Sequence, residues 1–388
     1  MRQQDPSQDG FAVTVYRSIA EISAEEWNLC AGPNEPLVSH SHLLALERSG
    51  IAAPEKGFSP CHVLLRGASG QPVAAAPAYL KTHSKGELGV DLGFAIAHSR
   101  AVGSYFPKLQ VEVPMMPFGG RRLLVNPGYS DAVALPALLS QLKDVASAHG
   151  ASSVQIGYMT KEEADFARKF GFATTETSTH AWRRAGDSSF EGFLRRMNSR
   201  PRSEIRRQRR RVAEAGLRFC YYRGAAISAD MAAAFFDFYK ENFDRHGSEI
   251  WLNREYFLSV FETMRDSIEL CVSFDKNRWI GAVFSLVTPD QGYTQYWGQA
   301  DDIRFLHFEQ VMYRGIERAF VTGLNRLDFG PTGAHKAERG LAPEPVYHAA
   351  WFADPTFAEV AKAGFEQKTK AAIATRIVET ARLPFLTK

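Results

Sequence analysis

Three clusters in the sequence combine residue types that do chemistry, and the densest is FLRRMNSRPRSEIRRQRRRVAEAG. Residues 195–211 hold nine arginines against one glutamate. Pro201 suits the first turn of a helix, and residues 201–215 are long enough for about four turns. On that helix Arg202, Arg206, Arg209 and Arg210 share one broad face, Arg207 and Arg211 lie beside it, and Ile205 and Val212 form a thin apolar seam. The guanidinium fork suits phosphate, and so dense a cluster repels itself unless an anion is near. A solvated helix face is the plainer explanation of a charge run. The nine-to-one imbalance points instead to a phosphate-rich partner, either a nucleic acid or a nucleotide-bearing cofactor.

The second cluster is YTQYWGQADDIRFLHFEQVMYRGIERAF, an aromatic strand running into a helix. Core packing explains Tyr293 and Phe308, but not the polar Gln295, Gln299, His307 and Glu309 around one strand-to-helix junction, where open α/β sheets bind ligands. Tyr296, Trp297, Gln299 and Tyr313 are candidate substrate contacts, and Glu309 and Tyr313, one turn apart, should face the same side. The third cluster is LDFGPTGAHKAERGL, in which glycines punctuate a turn before His335, Lys336, Glu338 and Arg339. Glycine permits close backbone approach to a ligand, and a lysine or arginine there can stabilise an oxyanion. Many such turns are only surface loops. In the first half, Ser39, His40, His42, Lys81, His83 and Asp91 fall in two short polar stretches. A serine hydrolase would need a GxSxG elbow, which is absent.

The elements that must position these residues read as α/β. Strands are predicted at Phe11–Val15, Cys61–Leu65, Val73–Leu80 and Ser153–Tyr158, and helices at Ile22–Ala31, Ser41–Ser49, Asp131–His149 (stopped by Gly150) and Lys161–Phe170. The second half repeats the grammar. It has a strand at Leu217–Tyr222, helices at Asp230–Phe243 and Arg254–Arg265, a meander at Ile268–Phe274, Trp279–Val287 and Tyr293–Gly298, a helix at Phe308–Thr322 and a strand at Arg326–Phe329. Two segment pairs suggest duplication: CHVLLRGASGQPVAAAPAYL with ELCVSFDKNRWIGAVFSLV, and LLSQLKDVASAHGASSVQIG with QVMYRGIERAFVTGLNRLDFG. At 388 residues the chain suits two domains, residues 1–184 and 185–388, with Arg184–Ser189 as the crossing point.

Composition narrows the class further. Hydrophobic residues are 45% and charged residues 23%, as in a globular protein with a full core. No stretch approaches the roughly 20 apolar residues of a membrane span, and the opening MRQQDPSQDG lacks a signal peptide's apolar core, so the expectation is cytoplasmic. Cys30, Cys61, Cys220 and Cys271 have no ligand spacing and read as reduced thiols, with no metal implied. A net charge of +3 matters less than its concentration near residue 200.

With these segments in view, the chain resembles the FemAB-like family of peptidoglycan biosynthesis or recognition proteins, within the acetyltransferase-fold (GNAT) superfamily. The resemblance rests on SHSHLLALERSG, YLKTHSKGE, YFPKLQVEVPMMP, SRPRSEIRRQRRRVAEAG, YWGQADDIRFLHFE and FGPTGAHKAERGLAP, and spans nearly the whole length. It implies two tandem GNAT-like domains, each a mixed, mostly antiparallel sheet flanked by helices, and acyl transfer to an amine. The better-known Fem ligases take the acyl group from aminoacyl-tRNA, and a lysine late in their second domain is thought to stabilise the charged intermediate; Lys336 is the matching position. His335, Glu309 and His307 are candidate proton-transfer groups. Arg339, Ser39, His40, Lys81, His83 and Asp91 join the substrate candidates, and Arg200, Arg202, Arg206, Arg207, Arg209, Arg210 and Arg211 become candidate tRNA contacts. This chain departs from the family at Thr332 and Ala334, at Gln299 and Val311, and in VDLGFAIAH, all in candidate pocket segments. Those departures imply a shifted acceptor, and leave a small metabolite's amine and a cell-wall precursor equally open.

Acetyl-CoA users cradle the pyrophosphate in a glycine-bearing turn at a helix start. Neither GQADDIRFLHFE nor VNPGYSDAVAL has that turn, and Asp301 with Asp302 would repel the phosphates. The sequence thus favours aminoacyl-tRNA as co-substrate with no bound cofactor. An acyl-CoA-dependent N-acyltransferase and a non-catalytic RNA- or anion-binding tandem module are the competing readings.

Overall fold

Apolar alternation builds the sheets, and amphipathic helices cover them. A computed structural model describes residues 10–86, 91–331 and 333–386. Glu87 and Val90, which fall in the family-like stretches, and the departure at Thr332 lie outside the described residues, as does the side chain of Gln295. The chain divides into two units. One runs to Thr177 and takes in Val346–Ala372; the other is Ser178–Pro345 with the tail from Ile373. The sequence reading instead places one break after residue 184.

In the first unit, Ala12–Tyr16, His62–Arg66, Pro72–Ala76 and Leu124–Val125 form one antiparallel sheet. A second sheet orders Phe58–Pro60, Ala78–Lys81, Lys108–Val111, Ser153–Met159 and residues 347–352. The predicted single strand Val73–Leu80 is therefore two strands in different sheets, because Pro77 lacks the N–H a continuous ladder needs. Helix Asp131–Ala148 buries Leu135, Leu138, Leu139, Leu142 and Val145 on one stripe. They meet Val63, Val73, Leu109, Val111, Val154 and Ile156 in one core, and each fully buried leucine contributes about 1.5–3 kcal/mol of apolar burial. Ser130 caps the helix start through Ala132 N–H, and Gly150 follows its end at φ 62°. Residues 346–372 belong here because Tyr347–Phe352 pairs with Ser153–Met159, while Phe357, Ala361 and Phe365 pack with Phe94 and Tyr105.

In the second unit the sheet order is Arg218–Arg223, Ile268–Asp275, Arg278–Val287, Gln291–Gln299, Arg326–Asp328 and residues 181–183. All pairs are antiparallel except Gln291–Tyr293 with Arg326–Asp328. Alternation sends Phe284 and Tyr296 toward Phe235, Tyr239 and Phe257 of the helices Ala229–Arg245 and Arg254–Thr263. Val283 and Trp297 point the other way, into a core with Phe193, Ile205, Met312, Ile316 and Leu327. Among the described residues no helix is long and apolar enough to cross a membrane.

Candidate active site

The site grows from a parting of two parallel strands in the second unit. Their register runs Gln291↔Arg326, Gly292↔Leu327 and Tyr293↔Asp328, and there their pairing stops. One strand continues to Gln299; the other turns at Phe329–Gly330, with Gly330 at φ 78°. Asp328, fully buried, pins that turn. It accepts from Thr179 Oγ1 (2.5 Å), from Gly330 N–H (2.9 Å) and from Arg326 Nη2 (2.7 Å).

The chain then returns through a short 3₁₀ turn, Ala334–Arg339, entered by Gly333 at φ 111° and closed by Gly340 at φ 82°. This turn lays Lys336 against the parting. Its Nζ donates to Phe329 O and to Gly330 O (3.1 Å). An ammonium has three donors, so a third N–H is left over. Burial pushes the lysine down to about 8, with the Asp328 carboxylate opposing the fall.

His307 and His335 gather beside it. The His307 ring stands edge-on to Trp297 at 4.8 Å, and His335 lies 5.5 Å from Phe308. Burial, reinforced by neighbouring cationic and imidazole groups, pushes His307 down to about 4 and lowers His335, so both rings are neutral at pH 7. Arg339 sits 3.7 Å over the Phe308 ring and donates to Tyr313 Oη (3.1 Å), which itself donates to Gln208 Oε1 (2.6 Å).

Glu309 has a different environment from the free base that the sequence suggests. Its buried carboxylate lies between Arg209 (3.1 Å) and Arg314 (3.0 Å). Those guanidiniums keep its oxygens occupied. The predicted regular helix Phe308–Thr322 is also changed: Phe308–Tyr313 is a π-turn, and the α-helix begins at Arg314. Such turns recur at functional sites because they re-aim buried side chains. Here the turn carries Gln310, whose Nε2 donates to Cys271 O (2.9 Å) and Gly281 O (3.1 Å), tying the helix start to two strands. The sequence reading missed Gln310, Asp328, Thr179 and Gln208.

Among the other second-unit candidates, Tyr296 is core, packed against Tyr239 and Phe257 and facing away from Trp297. Trp297, Gln299, His307 and Phe308 instead line an open pocket of ≈ 770 Å³ together with Arg245, Asp302, Arg304 and Phe305. The Arg-rich helix spans Ser199–Ala213 and buries Ile205, Gln208 and Val212. Its charge is more compensated than the local count implies. Arg206 pairs with Glu191, Arg207 with Glu204, Arg211 with Glu214 (2.8 Å), and Arg209 with Glu309 and Glu317. Glu204 and Glu214 stand three residues from their partners, a spacing visible in the sequence, whereas Glu309 and Glu317 lie about a hundred residues away and only the fold reveals them. Arg202 donates to backbone carbonyls of Arg195 and Met197. Among the described residues Arg200 and Arg210 are exposed and form no ion pair.

The first-unit candidates are tied into local structure. Ser39 caps the helix His40–Arg48 through His42 N–H, and His40 Nε2 lies 3.0 Å from Ile19 O and 2.9 Å from Ile22 O. His42 is buried against Leu37 O, and burial pushes it down to about 4. Lys81 donates to Lys85 O (2.8 Å) and lies 3.3 Å over the Phe58 ring. His83 Nδ1 accepts from Lys85 N–H, and Asp91 accepts from Tyr105 and pairs with Lys108, both buried.

The FemAB-like family, described as peptidoglycan biosynthesis/recognition, matches residues 18–387. FemX is similar in structure with a TM-score of 0.55 and 14% identity, over 88% of this chain and 98% of that one. The C-terminal domain of a putative lysylphosphatidylglycerol synthetase from Agrobacterium fabrum gives 0.54 and 12%, over 89% and 97%. No curated protein sequence matches the chain. Identities this low speak for the fold alone. The family match spans nearly every residue, and FemX shares the fold over 88% of the chain: the chain belongs to the FemAB-like family.

Proposed function

We propose that the protein is an amide-bond-forming aminoacyltransferase, taking an amino acid from aminoacyl-tRNA to the amine of a small-molecule or peptidoglycan-precursor-like acceptor. The observation that carries this reading is Lys336, a buried ammonium with a spare N–H beside the point where two parallel strands part. In the reaction the neutral amine attacks the ester carbonyl, and a C–N bond forms. The carbonyl oxygen becomes an oxyanion, which Lys336 stabilises by charge and hydrogen bond. The tetrahedral centre then collapses, the C–O bond to the ribose breaks, and the amine's proton leaves with the ribose oxygen. No base need be ionised for this, which suits neutral His307 and His335 and an occupied Glu309. Much of the rate then comes from holding amine and ester together.

The donor assignment draws support from the helix start. Backbone N–H groups of Leu306 and Glu309 already donate to Ile303 O (3.1 Å) and Phe305 O (3.0 Å). A pyrophosphate cradle needs such N–H groups free. The test is transfer of labelled amino acids from a charged tRNA pool to an amine-containing extract. Ribonuclease-sensitive amide product supports the reading. Product that persists after ribonuclease and requires acyl-CoA replaces it.

A further inference from the structure

The pocket beside Trp297 contains groups for which the transfer chemistry has no use. Gln299 ends its strand 7% exposed, with Oε1 lacking any hydrogen-bond partner. Buried polar atoms in native proteins are nearly always paired, so an unpaired one lining an open pocket marks a partner from outside the chain. Around it stand the flat rings of Trp297, Phe305 and His307, the last kept uncharged at neutral pH by burial. Asp302 and Arg304 are exposed at the rim, and among the described residues neither forms an ion pair; Arg304 lies 4.7 Å over the Phe305 ring.

These parts are complementary to the parts of one molecule. Aromatic rings stack on a nucleobase. A carboxamide offers a donor beside an acceptor, the pattern that glutamine uses on adenine. A carboxylate accepts from ribose hydroxyls, and a guanidinium faces phosphate. The volume of ≈ 770 Å³ holds a ligand of that size. We infer that this pocket binds an adenine nucleotide, with Gln299 on the base edge, Trp297 and Phe305 against its faces, Asp302 at the ribose and Arg304 at the phosphate. Phe308, which also lines the pocket, touches His335 next to Lys336, so a nucleotide here lies beside the transfer site. The inference deepens the function proposed above and rests on it for the nucleotide's carrier alone. The 3′-terminal adenosine of a tRNA and the adenosine of CoA present the same base.

The experiment is calorimetry on the full chain with AMP, GMP, CMP, UMP and adenosine, repeated on Gln299→Leu and Arg304→Glu. AMP should bind in preference to the other three nucleotides. Gln299→Leu should weaken AMP about tenfold or more and erase the preference. Arg304→Glu, an exposed change that leaves the core intact, should weaken AMP several-fold and adenosine hardly at all. No AMP binding, a preference for CMP, or AMP binding indifferent to both substitutions overturns the inference. Displacement of AMP by tRNA but not CoA supports both the pocket and the donor. Displacement by CoA alone keeps the pocket and overturns the donor, whereas ribonuclease-sensitive transfer without AMP binding keeps the donor and overturns the pocket.

Discussion

The two units contain the same strand–helix–parallel strand crossover, used in opposite ways. In the first, Leu109↔Val154, Gln110↔Gln155 and Val111↔Ile156 form the parallel pair, and the intervening helix Asp131–Ala148 buries only leucine, valine and alanine. Where that pair ends, the chain's own groups occupy the space. Gln110 Nε2 donates to Glu112 (3.0 Å), and a Cβ on Gly157 would come within 2.6 Å of the Glu112 carboxylate. In the second unit the corresponding helix starts as a π-turn burying Glu309, Gln310 and Tyr313, and the strands part toward Lys336 and an open pocket. One topology is closed by the chain's own groups in one place and opens on a pocket, beside the proposed transfer site, in the other. Polar groups are buried at both partings, but in the first Gln110 and Glu112 pair with each other, whereas in the second Asp328 and Gln310 fix the turn beside Lys336 and the helix start.

The largest effect should come from Lys336→Ala, lowering single-turnover transfer about a hundred- to a thousand-fold with tRNA affinity little changed. Unchanged turnover would return the second crossover to the status of scaffold. Next, Leu142→Ala in the first-unit helix should cost about 3 kcal/mol of stability in a urea titration while leaving transfer per folded molecule near normal. A specific loss of transfer there would show that the first crossover is more than packing.

The pH response sharpens the contrast. Lys336 titrates near 8 in the folded chain against an ordinary 10.5. In the proposed mechanism the ammonium form does the work, so its contribution to the rate should disappear as pH rises through 8, and Lys336→Arg should move that loss upward. Stability changes with the opposite sign. Between pH 8 and 10.5 the unfolded chain holds a proton that the folded chain has released, so this lysine makes the protein more stable as pH rises through that window. Equilibrium unfolding of wild type against Lys336→Met isolates that contribution. The smallest effect should belong to the Arg-rich helix: Arg210→Glu should weaken tRNA binding a few-fold and reduce its salt slope by about one. Arg209→Glu should destabilise the fold instead, because it opposes Glu309 and Glu317.

Periodicity made most of the framework legible. The amphipathic stripe of Asp131–Ala148 and the meander from Ile268 to Gln299 stand close to where the sequence places them. The strand Ala173–Arg183 was not legible, because ATTETSTHAWR carries little apolar alternation, nor was Ala342–Phe352, in which Pro343 and Pro345 argue against a ladder. For the site, the glycine-bracketed HKAER turn pointed to Lys336, but nothing local revealed that carbonyls of Phe329 and Gly330 would hold it or that Asp328 would pin the turn. Glu309 looked available because its two guanidinium partners come from the Arg-rich helix about a hundred residues earlier and from the turn after its own. Charge compensation across elements of this kind has no periodic signature.

The most direct measurement for the central assignment is binding of charged tRNA, uncharged tRNA and CoA at two salt concentrations, by band shift for the RNAs and calorimetry for CoA. An aminoacyl-tRNA-dependent transferase should show tRNA binding that falls steeply with salt, tighter for the charged form, and no CoA binding. CoA binding without tRNA binding would contradict it and hand the parting beside Lys336 to a different acyl donor.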